Sequence, residues 1–185
     1  MQIQAGIQSL SPELVDSVGE YRYKVFVERL GWDLHCENGR EFDQFDGPDT
    51  VHLVARNDEG DIVGSARLLP TTRPYLLGEV FPQLMHGLPV PCSPDVWELS
   101  RFAAVDLKTG SQGPMAQFSS EVTLALLHAA VNYARSQGAK RLITVSPLGI
   151  ERLLRHTGVQ AHRAAPPMRI GSHLLYACWI ECQPE

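Results

Sequence analysis

Apolar residues at Leu14, Val18, Tyr21 and Val25 recur at steps of four, three and four, the period of one helix face. Ser11 and Pro12 precede the stripe, a hydroxyl able to cap free N–H groups followed by proline at the first helical position, and Gly31 supplies a stop. On the neighbouring stripe Arg22 and Phe26 lie four apart and point the same way. The pattern then breaks. Residues 33–50, "DLHCENGREFDQFDGPDT", are polar and read as a long loop, and such loops in compact domains are usually functional or disordered. Two β-rich runs, 51–56 and 62–69, flank "NDEGD" and predict an antiparallel hairpin. Prolines 70, 74, 82, 89, 91 and 94 make the next stretch irregular.

Residues 96–105, "VWELSRFAAV", return to strand composition but set Glu98, Ser100 and Arg101 among the apolar side chains. Alternation puts Glu98, Ser100 and Phe102 on one side and Trp97, Leu99 and Arg101 on the other. A helix follows over 119–137, starting near Ser119 or Ser120 with Glu121 in its first turn and ending at Gly138. Strand 141–146, helix 149–157 closed by Gly158, and strand 174–181 complete a β-α-β-α-β half. This order predicts an α+β fold, a mixed central sheet flanked by helices.

Composition changes this picture little. At 185 residues, 44% hydrophobic and 20% charged, one domain spanning 1–185 is expected. The N-terminus lacks a basic region followed by an apolar run, and no segment approaches ~18 apolar residues, so the expectation is a cytoplasmic protein without export or membrane insertion. Cys36, Cys92, Cys178 and Cys182 form no C-x-x-C pair and no disulfide framework, and the seven histidines form no H-E-x-x-H arrangement. No metal site is expected.

Charge is distributed unevenly. Residues 1–100 carry 16 acidic and 7 basic side chains, whereas residues 135–173 carry 7 basic and a single acidic one, Glu151. The basic stretch is either a solvated face or a surface for an acidic partner. Nucleic acid fits poorly, because the sequence pI is about 5.8 and the basic residues are not interleaved with stacking aromatics. The acidic part crowds Glu41, Asp43, Asp46 and Asp49 into one loop, with Arg22, Arg67 and Arg101 on three separate elements that could converge there. Such carboxylates are mutually paired with cations or bind a charged ligand. Arg67 and Arg101 sit in mid-strand, where a charge needs a fixed partner, which favours a site at those two.

The segments "YRYKVFVERLGW" (21–32), "EFDQFD" (41–46), "GSARLLPTTRPYLL" (64–77), "VFP" (80–82) and "VWELSRFA" (96–103) together resemble the acyl-homoserine-lactone synthases, the autoinducer synthases of bacterial quorum sensing. The likeness continues more loosely through "RLITVSPLGIERLLRHTGV" and "AHRAAPP". It implies an acetyltransferase-like (GNAT-type) fold. It also implies transfer of an acyl group from an acyl-carrier-protein thioester to the amine of S-adenosylmethionine, lactone closure and release of methylthioadenosine. The family's motif positions fall on Arg22, Phe26, Trp32, Asp43, Asp46, Arg67, Phe81, Glu98 and Arg101.

The residues suit that chemistry. A sulfonium, an amine and a carboxylate call for carboxylates, aromatic faces and an arginine, and Asp43, Asp46, Phe26, Trp32, Phe81 and Arg22 or Arg67 supply them. Glu98, presented with Ser100 and Arg101, is the natural base for the amine, directly or through one water. The resemblance further implies an apolar acyl tunnel lined by Phe102, Leu126, Leu142 and Thr144, with a hydroxyl of Thr144 or Ser146 able to meet a 3-oxo substituent. It gives the basic stretch a role in docking the acidic carrier, with Lys140, Arg141, Arg152 and Arg155 as candidates. S-adenosylmethionine is a substrate, and no cofactor is expected. The alternative is an N-acyltransferase using acyl-CoA, although "LKTGSQGPMAQ" lacks the Q/R-x-x-G-x-G/A spacing that cradles a pyrophosphate.

Overall fold

The computed structural model describes residues 1–6, 10–108 and 120–182. The chain divides into two compact units, one formed by Met1–Arg67 with Arg101–Ala130, the other by Leu68–Ser100 with Val131–Glu185.

In the first unit, Ser11 accepts a hydrogen bond from the Leu14 N–H at 3.3 Å and Pro12 opens helix α1 (Pro12–Arg22), as the sequence predicts. The apolar stripe is buried. Leu14 and Val18 pack with Val54, while Tyr21, Val25 and Phe26 pack with Ala103 and Val105. Beyond Arg22 the coil widens into a π-helix over Tyr23–Arg29, in which the Leu30 N–H reaches the Val25 carbonyl at 3.0 Å. The expected uniform helix is thus corrected: a π turn takes one residue more than an α turn. Gly31, at φ +68°, ends the helix as expected.

The stretch read as an unbroken loop contains a hairpin of β2 (Cys36–Glu37) and β3 (Arg40–Glu41). Asn38 and Gly39 join these strands with φ of 52° and 72°, the paired left-handed conformations of a tight Asn-Gly turn. α1 approaches so closely that a Cβ on Gly19 would fall 2.5 Å from the Phe42 ring. β4 (Val51–Arg56) and β5 (Ile62–Pro70) form the predicted hairpin arms. A strand the sequence did not announce, β1 (Gln2–Gly6), pairs antiparallel with β4. Strands in this unit run in the order β1-β4-β5-β6, where β6 is Val96–Ala103. Arg101 takes φ +49° within β6, and this left-handed residue interrupts the simple alternation expected through Phe102.

The second unit holds the remainder of β5 and β6 and the proline-rich connection between them. Short α2 (Leu76–Val80) and a 3₁₀ turn (Pro82–Met85) lie in that connection. Thr71 pins it, donating to the Val96 carbonyl at 2.8 Å and accepting from the Ser93 N–H at 3.1 Å. Helix α3 (Ser120–Ser136), which begins in the first unit, ends as predicted at Gly138, where the Ala139 N–H returns to the Ala134 carbonyl at 3.0 Å. Then come β7 (Arg141–Pro147), α4 (Ile150–His156), β8 (Ala161–Arg163), β9 (Met168–Ile170) and β10 (His173–Glu181).

β6 and β7 pair in parallel, whereas β10 pairs antiparallel with β7, β8 and β9. The sheet is mixed, as expected, but two short strands precede β10 where a plain α-to-β step was predicted. Pro166 and Pro167 separate them. No helix among the described residues is long and apolar enough to cross a membrane.

Candidate active site

In the first unit Arg22, Arg67 and Arg101 meet Glu41, Asp43 and Asp46. Arg22 donates from Nε to Glu41 Oε2 at 2.7 Å and from its two terminal nitrogens to Asp46 Oδ1 and Oδ2 at 2.8 and 2.9 Å. Arg101 binds Glu41 through Nη2 at 3.1 Å and Asp43 Oδ2 at 2.9 Å. Arg67 donates to Asp43 Oδ1 at 2.6 Å and lies 3.1 Å from Asp46 Oδ2. Three cations meet three anions, which is the condition for burying them. Asp49, expected in this group, is exposed.

Burial favours the neutral acid at Asp46, but Arg22 and Arg67 overcome it and hold the carboxyl far below its ordinary range. Glu41 is lowered in the same way against its own burial, by Arg22 and Arg101. Aromatic rings back each arginine. Phe42 lies 5.5 Å from the Arg22 guanidinium carbon, Phe45 5.8 Å from that of Arg67, and Phe26 5.9 Å from that of Arg101. Phe26 in turn stacks on Trp32, with centroids 4.9 Å apart and planes at 19°. The carboxylates differ in access: the side chain of Asp43 is 13% exposed against 5% for Asp46 and 1% for Glu41.

His52 escaped sequence reading, since nothing in "VHLVAR" marks its histidine. Its Nε2 lies 3.8 Å from Asp46 Oδ1, and burial pushes its pKa down to about 4 despite the nearby carboxylate.

In the second unit Glu98 is fully buried on β6, and its carboxylate accepts from the Leu77 N–H at 2.7 Å and the Leu76 N–H at 3.1 Å. The side chain therefore anchors the start of α2. Ser100, two residues on, is also buried, and Phe81 is half-buried where α2 meets the 3₁₀ turn.

The candidate acyl-pocket residues fall in both units. Phe102 is half-buried and Leu126 fully buried in the first. In the second, Leu142, Thr144 and Ser146 share one face of β7 by alternation, so both hydroxyls lie on the same side. That face carries Trp97, in register with Leu142, whereas Glu98 is in register with Ile143 on the opposite face.

Of the basic residues, Lys140 pairs with Asp95 at 2.6 Å and Arg141 stacks 4.4 Å from the Trp179 ring centroid. Arg163 bonds Glu151 at 2.7 Å. The side chains of Arg152 and Arg155, on α4, lie outside the described residues.

Comparison with known proteins gives these arrangements a family. The family model described as autoinducer synthase matches residues 8–185. An acyl-homoserine-lactone synthase of Acinetobacter nosocomialis is 55% identical over 182 residues, 98% of this chain and 100% of that one. The crystal structure of TofI in a ternary complex with an inhibitor and MTA superposes with TM-score 0.83 at 44% identity, covering 99% of this chain and 92% of TofI. BjaI, a CoA-dependent acyl-homoserine lactone synthase solved with SAM and isopentyl-CoA, gives TM-score 0.84 at 25% identity, covering 98% of this chain and 83% of BjaI. The chain belongs to the autoinducer synthase family and is an acyltransferase, an acyl-homoserine-lactone synthase with the acetyltransferase-like fold expected from its sequence.

Proposed function

We propose that this synthase takes its acyl group from an acyl-carrier-protein thioester and joins it to the amine of S-adenosylmethionine, then closes the lactone and releases methylthioadenosine. The product is a quorum-sensing signal made in the cytoplasm, S-adenosylmethionine is consumed as substrate, and the whole chain serves as one synthase domain. TofI with MTA and BjaI with SAM support the choice of amine donor.

The observation that carries the reading is Asp43. It is the most exposed carboxylate of an otherwise sealed network, held by Arg67 and Arg101, and Arg101 lies over the Phe26–Trp32 stack. A carboxylate with aromatic faces nearby suits a ligand carrying an amine and a sulfonium. We assign Asp43, Phe26, Trp32 and Phe81 to contact with that substrate, and Arg22, Arg67 and Asp46 to holding Asp43 in place. Glu98 receives the amine proton, directly or through one water, with Ser100 and Arg101 beside it in the chain. Phe102, Leu126, Leu142, Thr144 and Ser146 are assigned to the acyl chain, and Lys140, Arg141, Arg152 and Arg155 to the carrier.

A second reading, acyl-CoA as donor, draws on the likeness to BjaI. The test is direct. Purified enzyme with S-adenosylmethionine is given the same acyl group on carrier protein or on CoA, and lactone and methylthioadenosine are measured by mass spectrometry. Equal amounts of both products, formed faster from the carrier, are expected. Faster turnover of the CoA thioester would replace the proposed donor, and absence of lactone from either would overturn the reading.

A further inference from the structure

Resting on the synthase reading above, we propose that the Tyr176 hydroxyl is a specificity element that hydrogen-bonds an oxygen substituent, oxo or hydroxy, on the acyl chain. Tyr176 is fully buried on β10. Its hydroxyl meets full hydrogen-bond geometry with no group among the described residues, although the Glu151 backbone and the Cys178 side chain both approach it. The ring itself is well held, with the Arg163 guanidinium carbon 5.4 Å from its centroid and Arg163 fixed by Glu151.

Register places this hydroxyl among others. Tyr176 stands opposite Ser146 and Cys178 opposite Thr144 in the β7–β10 ladder, so all four polar side chains share one buried face. It is the face that carries Leu142, assigned above to the acyl chain. A purely apolar chain has no use for a tyrosine here, since phenylalanine fills the same space without stranding a hydroxyl. The unpaired group is explained if the ligand brings the missing oxygen. A phenol can donate to a ketone or a hydroxyl, and the Ser146 hydroxyl directly across offers a second hydrogen bond.

The test compares kcat/KM for thioesters of one chain length that are unsubstituted, 3-oxo or 3-hydroxy, in wild type and Tyr176→Phe. Wild type is expected to prefer an oxygenated donor, and the 3-oxo and 3-hydroxy arms identify which. Tyr176→Phe should cut that preference by about tenfold, the worth of one hydrogen bond, and leave the unsubstituted donor nearly unchanged. Ser146→Ala should lower the same ratio in the same direction. Without substrate, Tyr176→Phe should melt close to wild type, because the hydroxyl it removes makes no hydrogen bond of full geometry in the free protein.

A ratio unchanged by Tyr176→Phe, an equal loss with all three donors, or an unfolded variant would each overturn the proposal. These outcomes are read in an enzyme that makes lactone, so they are distinct from failure of the synthase reading, which would appear as no lactone from any donor.

Discussion

Arg22 and Asp46 form a two-pronged pair, 2.8 and 2.9 Å, between side chains 1% and 5% exposed, contributed by α1 and by the loop after β3. Removing one side leaves a buried arginine or carboxylate without its partner. Asp46→Asn should therefore lose about 3–5 kcal/mol of stability, the usual cost of stranding a buried charge. Arg22→Lys should also lose stability, because an ammonium cannot reproduce the fork that spans Glu41 and Asp46. Chemical denaturation with and without S-adenosylmethionine checks this. A variant as stable as wild type would mean that water reaches the network.

Glu98 gives a different expectation. Glu98→Gln retains one oxygen for an amide but turns an NH₂ group toward the other, donor against donor. We expect turnover to fall by roughly 10²-fold or more from loss of the base. A stability loss of about 1–3 kcal/mol should accompany it from the unmet amide at Leu76 or Leu77. Single-turnover rates across pH separate the two effects: loss of the base removes a limb of the wild-type pH profile, whereas misplacement of α2 lowers the profile without changing its shape. A near-normal rate in a folded variant would remove Glu98 from the chemistry.

The parts of this molecule that were legible in its sequence are those whose cause is local. Ser11-Pro12 caps and opens α1, Gly138 closes α3, and the period of two between residues 51 and 69 is a hairpin. Most of the ion cluster was also legible, since unpaired charges of that density demand partners: Arg22, Arg67, Arg101, Glu41, Asp43 and Asp46 meet as expected, whereas Asp49 is exposed. The pairing within it was not: that Arg22 spans Glu41 and Asp46 while Arg101 spans Glu41 and Asp43 depends on tertiary approach. The π-helix after Arg22, the His52 beside Asp46 and the amides on Glu98 depend on it too. The Asn38-Gly39 hairpin was readable but was masked by the acidic residues around it.

His52 predicts a pH dependence separable from that of the carboxylates. Its folded pKa is about 4 against about 6.5 in the unfolded chain, so between these values the unfolded state binds more protons. Stability should fall as pH drops from about 6.5 to about 4, by an amount on the order of 3 kcal/mol in full. Asp46 and Glu41 are depressed, so their contribution is complete above about 4 and is lost only below it. His52→Asn should flatten the upper window and leave the acid limb. Urea melts at half-unit pH steps measure both, and a wild-type stability constant between pH 6.5 and 4.5 would contradict the burial argument.

Arg152→Glu with Arg155→Glu tests the docking of the carrier. The two positions lie three apart on α4, and their chain neighbours Lys140 and Arg163 already have acidic partners at 2.6 and 2.7 Å. Reversal at these two positions is expected to raise KM for the acylated carrier and spare KM for S-adenosylmethionine. Because steering by surface charge acts on encounter, the wild-type advantage should shrink with salt as the Debye length falls below about 8 Å. A short acyl thioester lacking the carrier protein separates docking from damage. Its turnover should be unchanged by the double reversal. An equal loss with both donors would mean that the substitutions disturb the fold around α4, and unchanged kinetics with the carrier would assign its docking to a different surface.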